Sequence, residues 1–303
     1  MFIPYVASKF GPHWGSRLSN APHSAKGFIC ADRTDLAWAA FSAGKADVSS
    51  LGAHGYSSFL DALGQMCTVL SITEADPHFI VKSSLQLAQE KTELAYSSNK
   101  TGNAFAKLVS AQLFGVAWLI HTSLLSKKMG MTFWKQRSPD FVGLTTTGSW
   151  VIVEAKGTSG SYDQRTVTGG KEQTRSLRMI NGSFPVLRAV TLSHYWGDTL
   201  VGAIEDPEHY DDDAIDLEFD VVAVIKQYYE SLTPPYTRPE TINLAGRSYS
   251  LYINAIPQYD LALPSVAAIE AEMVAGDAGW KTETEGFAIY PDGVALRPRT
   301  NDG

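Results

Sequence analysis

Trp150-Val151-Ile152-Val153-Glu154-Ala155-Lys156-Gly157 is an apolar, β-branched run that ends in an acid and a base. Its composition predicts a strand. Successive side chains along a strand point to opposite faces, so Glu154 and Lys156 share one face while Ala155 points to the other. Asp140, in the dipeptide Pro139-Asp140, stands 14 positions before Glu154. Between them Phe141-Val142-Gly143-Leu144 predicts another strand and Thr145-Thr146-Thr147-Gly148-Ser149 a turn. Folding the two strands into a hairpin brings Asp140 beside Glu154.

Two carboxylates and one ammonium at a strand end suit phosphodiester chemistry. Hard oxygen ligands that leave positions open to water and phosphate are what Mg²⁺ prefers, with Mn²⁺ able to take its place. A metal held there polarises the phosphodiester and lowers the pKa of a bound water. Lys156 beside it orients that water or neutralises charge developing on the phosphate. Each residue also has an ordinary role: Asp140 as a turn residue after proline, and Glu154 with Lys156 as a same-face ion pair.

The pattern Pro139-Asp140 followed by Glu154-Ala155-Lys156 resembles the signature of the PD-(D/E)XK nuclease superfamily, which includes many restriction endonucleases and the RecB-like and Mrr-like nucleases. The resemblance covers the middle third of the chain. It implies an α/β fold with a restriction-endonuclease-like mixed central sheet flanked by helices, the nuclease core spanning 96–205. An N-terminal helical region of unclear role, 1–95, and a C-terminal α+β region for specificity or partner binding, 206–303, are the expected additions. The resemblance further implies Asp140 and Glu154 as metal ligands, the Ala155 carbonyl in the metal shell and Lys156 as the catalytic cation.

Downstream, Gly169-Gly170-Lys171-Glu172-Gln173-Thr174-Arg175-Ser176-Leu177-Arg178 predicts a helix, and several branches resemble it in carrying a glutamine or a basic residue there. Gln173 and Lys171 are the matching positions, Gln173 aligning substrate. Many relatives also carry a glutamate on the helix before the aspartate strand. Here Ala106 sits at that place, which leaves Glu90, Glu93 or no acid for the role and leaves one or two metals open. DNA is the expected substrate and an endonuclease of prokaryotic defence or restriction the expected setting, acting as a homodimer, because cutting a duplex through needs two centres, or within a larger defence complex. An RNA-cleaving nuclease and a catalytically silent nucleic-acid-binding or assembly subunit stay open.

The chain carries a net charge of −7, which by itself argues against a polyanionic partner. Its distribution argues the other way. Residues 125–190 hold ten basic side chains (Lys127, Lys128, Lys135, Arg137, Lys156, Arg165, Lys171, Arg175, Arg178, Arg188) against four acids (Asp140, Glu154, Asp163, Glu172), a local +6. Lys135, Arg137, Arg165, Lys171, Arg175 and Arg178 are the expected phosphate contacts, since a local basic face neutralises phosphates whatever the total charge. Nine acids with no lysine or arginine fill Glu205 to Asp220, the pattern of a solvated loop, or of a surface that repels DNA or docks on a basic partner or on the basic face of a second subunit.

At 303 residues with 44% hydrophobic and 19% charged residues, the chain buries a substantial core. No cationic leader precedes a long apolar run, and the apolar stretch from Leu113 to Leu125 is too short to span a bilayer, so the expectation is a cytoplasmic protein without membrane partners. Cys30 and Cys67 lie far apart, and seven scattered histidines form no metal motif; His194 is the one expected nearest the site. No P-loop, dinucleotide fingerprint or G-x-S-x-G appears.

Helical spacing predicts helices over 79–97 and 101–127, broken at Asn99-Lys100-Thr101-Gly102, then strands over 186–195 and 199–204. Further on, 220–232 predicts a helix, 242–255 a hairpin around Ala245-Gly246-Arg247, and 264–275 another helix. Pro291-Asp292-Gly293 predicts the turn of a last hairpin.

Overall fold

The run predicted as a strand at Trp150 forms one, and the molecule is built outward from it. The computed structural model describes residues 1–10, 24–43, 48–128, 138–206, 209–235, 237–256, 258–265 and 280–299. The first half contains β1 (Phe2–Ser8), β2 (Ser24–Cys30), α1 (Arg33–Ser42), α2 (Val48–Ile72), β3 (Thr73–Ala75), β4 (Ile80–Lys82), α3 (Ser84–Ala88), α4 (Lys91–Phe114), β5 (Val116–His121) and α5 (Ser123–Lys128). Next come β6 (Phe141–Thr145), β7 (Trp150–Gly157), α6 (Gln164–Arg175), β8 (Leu177–Ile180), β9 (Leu187–Trp196), β10 (Thr199–Glu205), β11 (Ile215–Leu217) and α7 (Val221–Leu232). The chain closes with β12 (Glu240–Leu244), β13 (Arg247–Ile256), β14 (Tyr259–Pro264), β15 (Thr282–Thr284), β16 (Phe287–Ile289) and β17 (Ala295–Pro298).

The protein is a mixed α/β structure. Its central sheet has nine strands in the order β2-β1-β10-β9-β7-β6-β5, with β4 joining β10 and β3 joining β4. β7 runs parallel to β9 and β1 parallel to β10, and the other pairings are antiparallel. β7 is buried from Trp150 to Ala155, as its unbroken apolar composition requires when helices cover both faces. α4 covers the face that carries Ala155 and Gly157. A Cβ built on Gly157 would meet the Ser98 carbonyl oxygen at 1.9 Å, and one on Gly102 would meet the Lys156 backbone at 2.8 Å. Helix and strand therefore touch backbone to backbone. α6 covers the opposite face, where a Cβ on Gly170 would meet Val190 at 2.8 Å and Glu154 at 3.3 Å.

That contact explains one departure from the sequence reading. Asn99-Lys100-Thr101-Gly102 does not break a helix, because α4 runs through it and Gly102 serves close packing on β7 rather than termination. A second departure lies at the helix end. α4 stops at Gly115, which is left-handed at φ 66 and donates its N–H to Ser110, so the expected continuation to 127 becomes strand β5 and short helix α5. Val116-Ala117-Trp118-Leu119-Ile120-His121 pairs antiparallel with β6, filling the sheet edge beside the proposed site.

The N-terminal region is not a helical addition alone. β1 and β2 extend the central sheet, and Pro4, which lacks an N–H, falls before Tyr5, where pairing with β10 begins. The strand candidates after the site appear as β9 and β10, and the predicted helix over 220–232 as α7. The helix expected over Gly169–Arg178 starts earlier, at Gln164, and gives way to β8 at Leu177. Beyond Ser265, the helix expected over 264–275 lies outside the described residues, while Pro264 itself ends β14. The acidic block is not all solvated loop: Glu205 ends β10, and β11 pairs parallel with β8. Among the described residues no helix is long and apolar enough to cross a membrane.

β12 to β17 form a six-stranded antiparallel sheet. One buried cluster nevertheless runs from Ile3 through Phe105, Val153 and Tyr228 to Leu296, so the three segments expected from sequence share a core. Asp292 of the last hairpin is fully buried, not an exposed turn. Its carboxylate accepts from Lys107 Nζ of α4 at 2.9 Å, Tyr228 OH of α7 at 2.6 Å and Trp38 Nε1 of α1 at 3.0 Å. A buried charge without its partner is strongly destabilising.

Two outcomes follow. Gly157→Ala lowers unfolding stability in urea by at least about 3 kcal/mol or prevents folding, whereas Gly169→Ala, a helix position with nothing within 4 Å of a new Cβ, leaves it unchanged or raises it by up to about 1 kcal/mol. Asp292→Ala costs roughly 3–5 kcal/mol in the same measurement, because Lys107 stays behind as an uncompensated charge.

Candidate active site

The hairpin of β6 and β7 pairs Phe141 with Val153, which sets Asp140 level with Glu154 one residue further on. The backbone N–H of Asp140 donates to Glu154 Oε2 at 2.8 Å, and the N–H of Ala155 donates to Asp140 Oδ2 at 3.2 Å. Lys156 Nζ donates to Glu154 Oε1 at 2.5 Å and to Gln173 Oε1 at 2.7 Å. Gln173 Nε2 in turn donates to the Ser138 carbonyl at 3.1 Å. Asp140, Glu154, Lys156 and Gln173 thus lie in one hydrogen-bonded ring that spans β6, β7 and α6.

The elements that deliver these groups do so for local reasons. Asp163 caps α6 by accepting from the N–H groups of Arg165 and Thr166, which starts the helix where Gln173 can reach β7. Val167, Gly170 and Thr174 form its buried stripe. Thr191 Oγ1 of β9 donates to the Glu154 carbonyl at 3.2 Å and fixes the strand from its other side.

Glu154 is 0% exposed, whereas Lys156, with a quarter of its side chain exposed, Asp140 and Gln173 are each half-buried. Burial, and then the negative charge of Asp140, push the Glu154 carboxyl up to about 8, against the opposing pull of Lys156. Burial and the neighbouring charge therefore outweigh the pull of Lys156 on Glu154. Among the described residues no cluster of three or more His, Cys, Asp or Glu side chains is gathered that could hold a metal ion. Two hard oxygen donors side by side suit a hydrated divalent cation, which needs only one or two protein carboxylates and keeps several waters. The Ala155 side chain points into the core, and its N–H is engaged by Asp140.

Other expected site residues lie elsewhere. Glu90 and Glu93 form a capping box at the start of α4, Glu90 N–H donating to Glu93 Oε2 at 3.0 Å, and both are exposed. Ala106 is buried in the core. Lys171 turns away from the ring and meets Glu205 at 2.5 Å, and Arg178 makes a two-pronged contact with Asp216 at 2.8 and 2.6 Å. Arg165 is exposed, Arg175 is half-buried at the end of α6, and Lys135 and Arg137 lie outside the described residues. His194 is half-buried and stands edge-on to Tyr162 at 5.7 Å rather than at the ring.

The sequence reading missed the Ser138 carbonyl, for which a sequence carries no signal. It also missed the packing role of Gly170, for which a signal existed. A glycine pair inside a helix costs about 1 kcal/mol per residue against alanine and so asks for a packing reason. Comparison of the chain with family models, with curated proteins and with solved structures finds no match.

Folded Glu154 keeps its proton to about pH 8, while an unfolded chain releases it near 4.5. Across that window the unfolded state gains from rising pH, so stability fully present below 4.5 is lost progressively up to about 8. Urea unfolding in EDTA between pH 5.5 and 8 is expected to show this loss, up to about 1.4 kcal/mol per pH unit. Glu154→Gln removes the Glu154 contribution to that slope, and an unchanged slope would contradict the assignment.

Proposed function

We propose that the chain is a Mg²⁺-dependent nuclease that hydrolyses phosphodiester bonds of DNA, built on a restriction-endonuclease-like core. The observation that carries this reading is the pairing of Asp140 with a buried Glu154 whose ionisation one lysine does not secure. A divalent cation at these carboxylates supplies charge compensation and a water of lowered pKa. Asp140 and Glu154 hold it, each fixed by a backbone N–H next to the other. Lys156 lies at the exposed rim, where its ammonium donates to a phosphate oxygen as charge builds there. Gln173 holds that ammonium in place and keeps its own orientation through Ser138. In the hydrolysis, water forms the new bond to phosphorus while the bond to the leaving sugar oxygen breaks, and the proton given up by the water ends on that oxygen.

One observation favours a second reading. Glu90 and Glu93 are committed to capping α4, so no upstream acid joins the pair from that helix start. A silent nucleic-acid-binding subunit would tolerate that loss. Duplex DNA, single-stranded DNA and RNA incubated with Mg²⁺, Mn²⁺ or EDTA separate the two. Cleavage of DNA with metal, abolished by EDTA and reduced at least about 10²-fold by Asp140→Ala or Lys156→Ala, is the expected result. Retention of DNA without cleavage under either metal establishes the silent reading, and preferential cleavage of RNA changes the substrate.

A further inference from the structure

α6 presents Val167, Gly170 and Thr174 to the sheet and is tied down along both flanks. On one flank Gln173 joins Lys156 and the Ser138 carbonyl. On the other, Lys171 Nζ stands 2.5 Å from Glu205 Oε2. Lys171 and Gln173 are two positions apart, which on a helix of 3.6 residues per turn separates them by about 200°. They leave α6 on opposite sides, and together they oppose its rotation about its own axis.

Glu205 is 5% exposed and ends β10. It accepts from Tyr162 OH at 2.8 Å and pairs with Lys9 Nζ at 3.2 Å as well. Lys9, just past β1, has a left-handed backbone at φ 65, unusual for a lysine. The register sets Glu205 opposite Val190, and Val190 opposite Glu154. The two carboxylates therefore stand in one row on one face of the sheet, about 10 Å apart at ~4.8 Å per strand, with Gly170 of α6 seated over Val190 between them.

We infer that Glu205 is a positioning residue for the Asp140–Glu154–Lys156 centre: through Lys171 it sets the roll of α6 and so holds Gln173 against Lys156. The inference rests on the reading of that ring as the active site, and its test separates the two. Lys171→Met removes the flank contact and Glu205→Gln removes its ionic component, both keeping side-chain size. The side-chain amide of Gln173, assigned by its loss in Gln173→Ala, is followed by nitrogen–proton NMR well below each variant's Tm. Both variants are expected to move it to the position of a free glutamine amide. Lys9→Met, which removes a Glu205 contact and a like-charged neighbour of Lys171 but keeps the Lys171–Glu205 pair, leaves it in place.

With Mg²⁺ and duplex DNA, kcat is expected to fall about ten- to hundredfold with KM held within about twofold, and the double variant to be no slower than either single one. A Gln173 amide unmoved in both single variants, or kinetic losses that add in the double variant, overturns the inference. Should Glu205→Gln fail to fold, Lys171→Met carries the same test alone. Wild-type protein that cuts no nucleic acid overturns the nuclease reading, and the amide signal still decides the role of Glu205.

Discussion

The backbone contact between Gly102 of α4 and Gly157 of β7 is the constraint on which the arrangement of the molecule depends. Neither position tolerates even a methyl group without displacing a backbone. With the helix this close, the C-terminal end of β7 is pinned from one face and has nowhere to shift. Glu154 and Lys156 consequently leave the strand on the other face at fixed height, where α6 seats Gly170 against Glu154. The site is thus pressed between two helices through glycines, and its geometry is a consequence of packing rather than of the polar contacts that decorate it.

The same logic extends to the C-terminal sheet. Asp292 is fully buried between α1, α4 and α7, and four elements meet at one carboxylate. Burial lowers the affinity of Lys107 for its proton and Asp292 offsets only part of that effect, so the pair is not a strong source of stability. Its value lies in specificity. The observed seating of the last hairpin satisfies the ammonium, the phenol and the indole together, and it joins the appended sheet to the helix that also pins β7.

The sequence exposed the parts of this plan that are local. β6 and β7 were legible because an apolar run followed by Glu154 and Lys156 has the alternation of a strand, and a short turn fixes which residues face each other. α4 was misjudged at Asn99–Gly102 because a glycine in a helix reads as punctuation until its neighbour is known, and that neighbour is 55 residues away in β7. β5 was hidden because its apolar run continues without a polar break from the helix before it. β1 was opaque since Pro4 argues against a strand unless it is known that pairing with β10 begins only at Tyr5. Glu205 was lost in a block of nine acids, where only the fold separates the buried carboxylate from solvated ones.

The folding of that acidic block onto the chain's own basic segment has a thermodynamic corollary. Asp216 already neutralises Arg178, Glu205 neutralises Lys171, and the Asp211 N–H is bound to the Arg175 carbonyl. Affinity for a polyanion grows with the number of condensed counterions that cationic side chains displace, and that number sets how steeply binding weakens with ionic strength. A cation already matched internally displaces few. On the proposed nuclease reading, binding of nucleic acid would therefore respond shallowly to added salt for so basic a segment and would owe more to local fit than to long-range attraction.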